Sequence, residues 1–241
     1  MNFGANFWGI QGAFLSSKFY RNSILFLILF LVSSCSQLGF GSKPSSKHLP
    51  SGFIKLDAAG KVISLGVDSG ASSDEMPKMY AKFSSNFNLY SHEVRKDEFQ
   101  ALMGYVPVGA ENDSVDAPVR FVSWYEAIFF CNRMSVKNGL DSVYSYSGAS
   151  KDASGRIDGL IGIKVKYAAE GIRLPTEAEW MFAAKKIPSA SLLSSAWYAD
   201  NSGGVVHKVE QRKAYDGLYD MAGNVMEWVS DGMATHPNHV L

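Results

Sequence analysis

The stretch Arg173-Leu174-Pro175-Thr176-Glu177-Ala178-Glu179-Trp180 contains a complete helix start. Thr176 and Glu179 stand three residues apart, the spacing at which each side chain satisfies an orphan backbone amide of the other. Glu177 and Glu179 lie at the positive end of the helix dipole, and Lys185 and Lys186 at its negative end. Pro188 follows just beyond. Upstream, Ser123-Trp124-Tyr125-Glu126 forms a second capping box, after which Trp124, Ala127, Ile128 and Cys131 recur at i, i+3, i+4 and i+7. Gly139 is placed to stop that helix. Lys96 to Met103 reads as a short third helix ended by Gly104 at the C′ position.

Around these helices the pattern changes. Phe53-Ile54-Lys55-Leu56 and Val62-Ile63-Ser64-Leu65 read as a hairpin about Ala59-Gly60, and Tyr80 to Tyr90 as one further strand. From Ser191 onward Gly203-Gly204, Asp216-Gly217 and Gly223 punctuate short apolar pieces, which predicts packed loops. Helices followed by an aromatic, loop-rich stretch with short strands give an α+β fold class.

The 241 residues carry 23 basic and 23 acidic side chains, so no polyanionic partner is indicated and nucleic acid is excluded as a partner class. Aromatic residues make up 13% of the chain, enough for a dense core. Cys35 and Cys131 are the two cysteines, too few for an internal disulfide framework.

No acidic residue precedes Asp57, whereas Lys18 and Arg21 stand before an apolar run from Ile24 to Val32. That run is far shorter than the roughly 20 residues a spanning helix needs, and it fits a secretory signal. Leu31-Val32-Ser33-Ser34-Cys35 resembles the lipobox of bacterial lipoproteins, which implies cleavage before Cys35 and lipidation of its thiol. The expected organisation is a signal peptide over 1–34, lipidated Cys35 with a Ser-, Gly- and Lys-rich tether over 35–51, and one domain over 52–241. Ser36 after the cysteine favours the outer membrane by the habit of that family.

Two long blocks carry a second resemblance. Arg173 to Trp180 is followed by Ala183-Ala184, and Gly217-Leu218-Tyr219-Asp220-Met221-Ala222-Gly223-Asn224-Val225 by Glu227-Trp228 and Asp231. Both resemble signature blocks of the formylglycine-generating enzyme (sulfatase-modifying factor) family. Shorter matches fall in the same order: Glu75, Pro77, Phe87, Glu93-Val94 and Phe99, then Pro118-Val119, Val122-Ser123-Trp124, Cys131-Asn132 and Val143-Tyr144. The resemblance implies a C-type-lectin-like α+β domain rich in loops.

Departures from the family pattern set further expectations. Arg95 replaces a helix-capping threonine, Tyr215 an asparagine and Met226 a tryptophan. The family continues with an Arg-Gly-Gly-Ser block, a copper-binding cysteine pair and a Gly-Phe-Arg strand. The sequence ends at His239-Val240-Leu241, where that block is expected to begin, so the domain is read as lacking its C-terminal strands. That reading leaves an unpaired sheet edge and core positions at Trp180 and Trp228 partly uncovered.

Two thiolates are what Cu(I) demands, so copper is not expected and no catalytic residue is assigned; Cys131, on an apolar helix face, reads as core. His48, His92, His207, His236 and His239 are scattered, and the His236-x-x-His239 spacing lies in a polar tail. The resemblance does imply a structural Ca²⁺ site, with Asp220 and Glu227 as carboxylate ligands and Gly223 and Val225 giving carbonyls. Calcium takes about 6–8 oxygens, so waters would complete it. Trp124, Trp180, Trp197 and Trp228 read as core rather than as a sugar-stacking platform.

Two functions follow. One is a lipid-anchored envelope protein, joined to the membrane through Cys35 and to an envelope protein partner, using the scaffold for binding or assembly. The other is a fragment of an oxidase that converts a sulfatase cysteine to formylglycine.

Overall fold

Ser123 and Thr176 do cap helices, and those two helices organise the domain. The computed structural model describes residues 49–66, 68 and 78–231, together with the backbone of 27–29 and 32–33. In chain order the elements are β1 (Leu27–Leu29), β2 (Val32–Ser33), β3 (Phe53–Leu56), β4 (Val62–Leu65), β5 (Met79–Lys82), β6 (Phe87–Tyr90), α1 (Lys96–Met103) and α2 (Trp124–Lys137). There follow β7 (Tyr144–Ser145), β8 (Gly148–Lys151), β9 (Ile157–Ile161), β10 (Lys164–Val165), β11 (Ile172–Arg173), α3 (Glu177–Ala184), a 3-10 turn at Ser189–Ser191, α4 (Leu192–Ser195) and β12 (Met226–Trp228).

Both capping boxes form reciprocally: Ser123 and Thr176 accept from the amides of Glu126 and Glu179, whose carboxylates accept from the two N-cap amides. At α1 only half a box exists. Glu98 accepts from the Arg95 amide at 2.8 Å, but a guanidinium has no acceptor to return. Asp97 instead accepts from the Glu98 amide at 2.8 Å. Gly104 closes α1 in the left-handed region at φ 85°.

The core lies against α2, whose Ala127, Ile128, Phe130 and Cys131 are fully buried. Phe99 of α1 stacks on Phe130 with centroids 5.5 Å apart. Each fully buried side chain of this size contributes about 1.5–3 kcal/mol. Polar groups inside are matched: the Asn132 amide donates to the Tyr144 carbonyl at 2.7 Å and accepts from the Tyr144 amide at 3.0 Å. The fully buried Tyr144 hydroxyl accepts from the Leu174 amide at 3.0 Å, which fixes the start of the Arg173 block. Lys96 is buried as well, and its ammonium donates to the carbonyls of Ala110, Glu111 and Asp113, so the loop after α1 wraps a cation with backbone oxygen.

A four-stranded antiparallel sheet runs in the order β11-β2-β6-β3, and β4-β5, β8-β9 and β7-β10 form separate two-stranded ribbons. The hairpin expected between Phe53–Leu56 and Val62–Leu65 is therefore corrected: β3 pairs with β6 and β4 with β5. The turn at Ala58–Lys61 hands the chain to the next segment, with the Gly60 amide donating to Phe83 at 2.8 Å. Pairing with β6 buries Leu56, Phe87 and Leu89 together, whereas β4 leaves Val62 exposed. The single strand expected over Tyr80 to Tyr90 divides into β5 and β6 at the turn between them.

Met226–Trp228 pairs in parallel with Leu27–Leu29, and Val32–Ser33 lies between β6 and β11. The apolar run read as an export signal contains strand-favouring Ile, Phe and Val. Among the described residues no helix is long and apolar enough to cross a membrane.

The buried pair Arg173–Glu179 ties β11 to α3, with Nη1 and Nη2 donating to the two carboxylate oxygens at 2.8 and 2.7 Å. Removing one partner strands a buried charge. Glu179→Ala, which also opens the capping box, should cost about 3–5 kcal/mol, read as a lower midpoint in urea unfolding.

Candidate functional site

The second signature block lies on a loop held in an unusual backbone state. Asp216, Asp220 and Asn224 all have positive φ, at 50°, 53° and 58°, alongside Gly217 and Gly223. Asn and Asp tolerate this region better than other L residues. Gly223 makes a parallel bridge to Trp197, and a Cβ there would strike the Trp197 carbonyl, so only glycine fits. The Asn224 amide then donates to that carbonyl at 2.8 Å.

Asn224 is the hub. Its side-chain oxygen accepts from the His207 amide at 3.1 Å, and its Nδ2 donates to the His207 carbonyl at 3.2 Å and to Glu93 Oε2 at 2.7 Å. One carboxamide thus joins three segments remote in sequence. Trp197 is clamped beside it: the His207 ring stacks on it at 3.6 Å, and the Arg212 guanidinium lies 3.6 Å from its ring centroid.

Glu93, Asp220 and Glu227 approach one another inside this frame. Burial pushes the Glu93 carboxyl well above the usual range, and the charges of Asp220 and Glu227 push it further. Hydrogen bonds from Asn224 and the Val225 amide oppose that rise. Burial likewise raises Glu227, with the Trp180 indole opposing and Asp220 adding to the rise. Asp220 is also raised by burial, opposed by a hydrogen bond from the Glu210 amide. No Lys or Arg forms an ion pair with any of the three among the described residues. Glu93 Oε1 is buried without a hydrogen-bond partner.

Asp220 raises the Glu227 carboxyl electrostatically, with Gly223 and Val225 on the loop between them. Among the described residues no three His, Cys, Asp or Glu side chains close on one metal position. The carried-over set, two carboxylates and two carbonyls, does not require such a triad. An orphaned Glu93 oxygen beside two further acids, with His92 as the one opposing charge acting on Asp220, fits a bound divalent cation.

Sequence reasoning missed Glu93 and Asn224 as members of the site. Glu93-Val94 and Asn224 both lie in family-like blocks, but nothing local in either shows that they touch. Cys35, His236 and His239 lie outside the described residues, as do Glu75 and Pro77. Cys131 is fully buried with a free thiol, and burial pushes its pKa well up. Trp124, Trp180 and Trp228 are half-buried and pack against the core. The indoles of Trp124 and Trp228 donate to the Val229 and Val122 carbonyls, each at 3.0 Å.

Short strands, three capped helices and a looped acidic frame define a loop-rich α+β scaffold, and comparison with known proteins places it. Residues 42–240 match the Sulfatase-modifying factor enzyme 1-like domain, and the chain belongs to that family. It is similar to Chaperone protein LppX of Paenibacillus barcinonensis, at 30% identity over 174 residues that cover 60% of this chain and 61% of the relative. The chain therefore spans about three fifths of that relative's length. Among solved structures it resembles Treponema denticola variable protein 1 at 28% identity and TM-score 0.55, covering 73% of this chain and 71% of that one. PvdO from Pseudomonas aeruginosa shares the fold at 19% identity and TM-score 0.51, covering 74% and 70%.

If the acidic loop holds Ca²⁺, saturation at about 100 times Kd adds about 2.7 kcal/mol, or a rise of about 5–10 °C in Tm for a domain this size. Glu227→Gln should abolish the rise in a calorimetric titration; an unchanged rise would remove Glu227 from the shell.

Proposed function

We propose that the chain is a lipid-anchored protein of the bacterial envelope that uses the sulfatase-modifying-factor scaffold for binding or assembly rather than for oxidation. The lipobox-like stretch ending at Cys35, together with a relative described as a chaperone protein, carries the reading. The Cys131 thiol is buried and packed on the inner face of α2, where it serves packing. Cys35, the other cysteine, stands where a lipoprotein is acylated. A relative described as a chaperone protein supports a role in handling another polypeptide.

In this reading the acidic loop is structural. Asp220, Glu227 and the carbonyls of Gly223 and Val225 would hold Ca²⁺, with Glu93 and Asn224 bracing the loop. The ion's chemistry there is charge neutralisation. It would offset the repulsion among the three carboxylates and add a further tie across the turn. Acyl chains on Cys35 add about 0.8 kcal/mol per buried CH₂, and two or more chains make anchoring stable. The outer membrane is the compartment favoured by Ser36.

The second reading, an oxidase acting on a sulfatase cysteine, rests on family membership alone. Intact mass of the natural, membrane-extracted protein separates the two. A diacylated or triacylated chain from Cys35 to Leu241 is expected, and Cys35→Ala should release the protein from carbonate-washed membranes. An unacylated product would sink the anchor, and a mass larger by several kilodaltons would restore the oxidase.

A further inference from the structure

The Trp197 side chain is the middle layer of a stack. The His207 ring lies on it nearly parallel, at 10° and 3.6 Å between centroids, and the Arg212 guanidinium carbon also stands 3.6 Å from a ring centroid. Two groups that close cannot share one face, so His207 and Arg212 take opposite faces of the indole. At 3.6 Å the guanidinium lies flat on the ring, because an edge-on approach would press an N–H into the carbon plane. Flat stacking engages the charge and the π-face of the cation and uses none of its N–H groups.

Those N–H groups are unclaimed. Arg212 has no hydrogen bond and no ion pair among the described residues, and its Nε is closed to solvent without an acceptor. In the layer beneath, the Trp197 indole Nε1 is likewise buried and without a partner. Buried donors nearly always find an acceptor, since an unmet one loses its hydration for no return. The neighbouring polar groups are met. His207 Nε2 is 3.0 Å from the Ser202 carbonyl, the Lys208 ammonium pairs with Asp116 at 2.9 Å, and the Asn224 carboxamide holds both backbone groups of His207. From His207 to Lys213 the chain carries Lys208, Arg212 and Lys213 against Glu210 alone, and Glu210 forms no ion pair among the described residues. The Trp197 carbonyl accepts from the Asn224 amide at 2.8 Å, so the stack is fixed to the signature loop before any ligand arrives.

We propose that the Arg212–Trp197 stack is a receptor for one carboxylate, carried by a polypeptide side chain or by a small organic acid. The planar guanidinium fork takes the carboxylate, and the indole N–H adds a donor from the layer beneath. Both orphaned donors are recessed, which suits a small flat group on a narrow stem better than a tetrahedral oxyanion. His207, on the far face, is a positioning residue that holds the indole against Arg212. The inference goes beyond the anchor reading and stands whether or not Cys35 is acylated.

The test uses the natural, detergent-solubilised chain with isotope-labelled tryptophan. The indole resonance of Trp197, identified by its loss in Trp197→Phe, is followed while acetate replaces chloride at constant ionic strength and pH. A saturable shift of that resonance is expected. Arg212→Gln should weaken acetate by about tenfold, and Arg212→Lys, which keeps the charge and loses the fork, by a similar factor. Unchanged resonances of Trp124, Trp180 and Trp228 report that both variants remain folded. No response to acetate in the unaltered chain, or the same response in Arg212→Gln, overturns the site and leaves the two donors to buried water. A response to phosphate without one to acetate overturns the carboxylate. Succinate and an acetylated, amidated glutamate peptide then separate the two sources: tighter binding of either supports the site and names its ligand.

Discussion

The Arg173–Glu179 pair is the contact on which the rest of the domain turns. Glu179 does two things with one carboxylate: it binds the guanidinium, and it accepts from the Thr176 amide and so closes the capping box of α3. Arg173 also donates to the Leu174 carbonyl. A two-residue strand, a proline turn and a helix start are thereby fixed to one another in a few residues. Both charges are almost wholly buried, and such a pair adds little net stability over an apolar replacement while making one arrangement far better than its neighbours. Its position explains why the surrounding chain can dispense with long regular elements. β7 and β11 are each two residues long, and side-chain hydrogen bonds from Asn132 and Ser135 hold them in place.

The same logic governs the loop that follows. Three non-glycine residues with positive φ, a glycine pressed against the Trp197 carbonyl and an asparagine joined to two remote segments leave the loop little freedom. Conformations of that kind persist where surrounding structure over-determines them. The acids they hold gain nothing from one another. Asp220 and Glu227 raise the proton affinity of Glu93, and Asp220 raises that of Glu227, so the frame stores an unfavourable charge arrangement rather than a stabilising one. Such an arrangement is intelligible as an anion-lined seat, and Trp180, donating to Glu227, couples it to α3 and so to the Arg173 pair.

What could be read in the sequence was local. The caps at Ser123 and Thr176, the Gly104 stop and the inner face of α2 each depend on residues within about two turns of one another, and all of them hold. The two signature blocks identified the family for a related reason, since each is a continuous stretch. Non-local pairing was not legible. β3 and β4 have hairpin composition and spacing, yet β6 offers β3 a more apolar partner, and strand propensity is largely a statement about such neighbours. Glu93 and Asn224 lie more than a hundred residues apart, and neither position has a local pattern that points to the other. The Lys96 ammonium, wrapped by three carbonyls of its own loop, was equally silent: a lysine opening a helix ordinarily faces water.

Cys131 shows how burial decides what a cysteine can do. A thiol used for metal binding must lose its proton at little expense, which calls for exposure, a nearby cation or a helix N-terminus. Cys131 is eight positions into α2, packed among Ile128, Tyr144 and Ile172, and its nearest helpful charge, Arg173, is already committed to Glu179. The position serves packing.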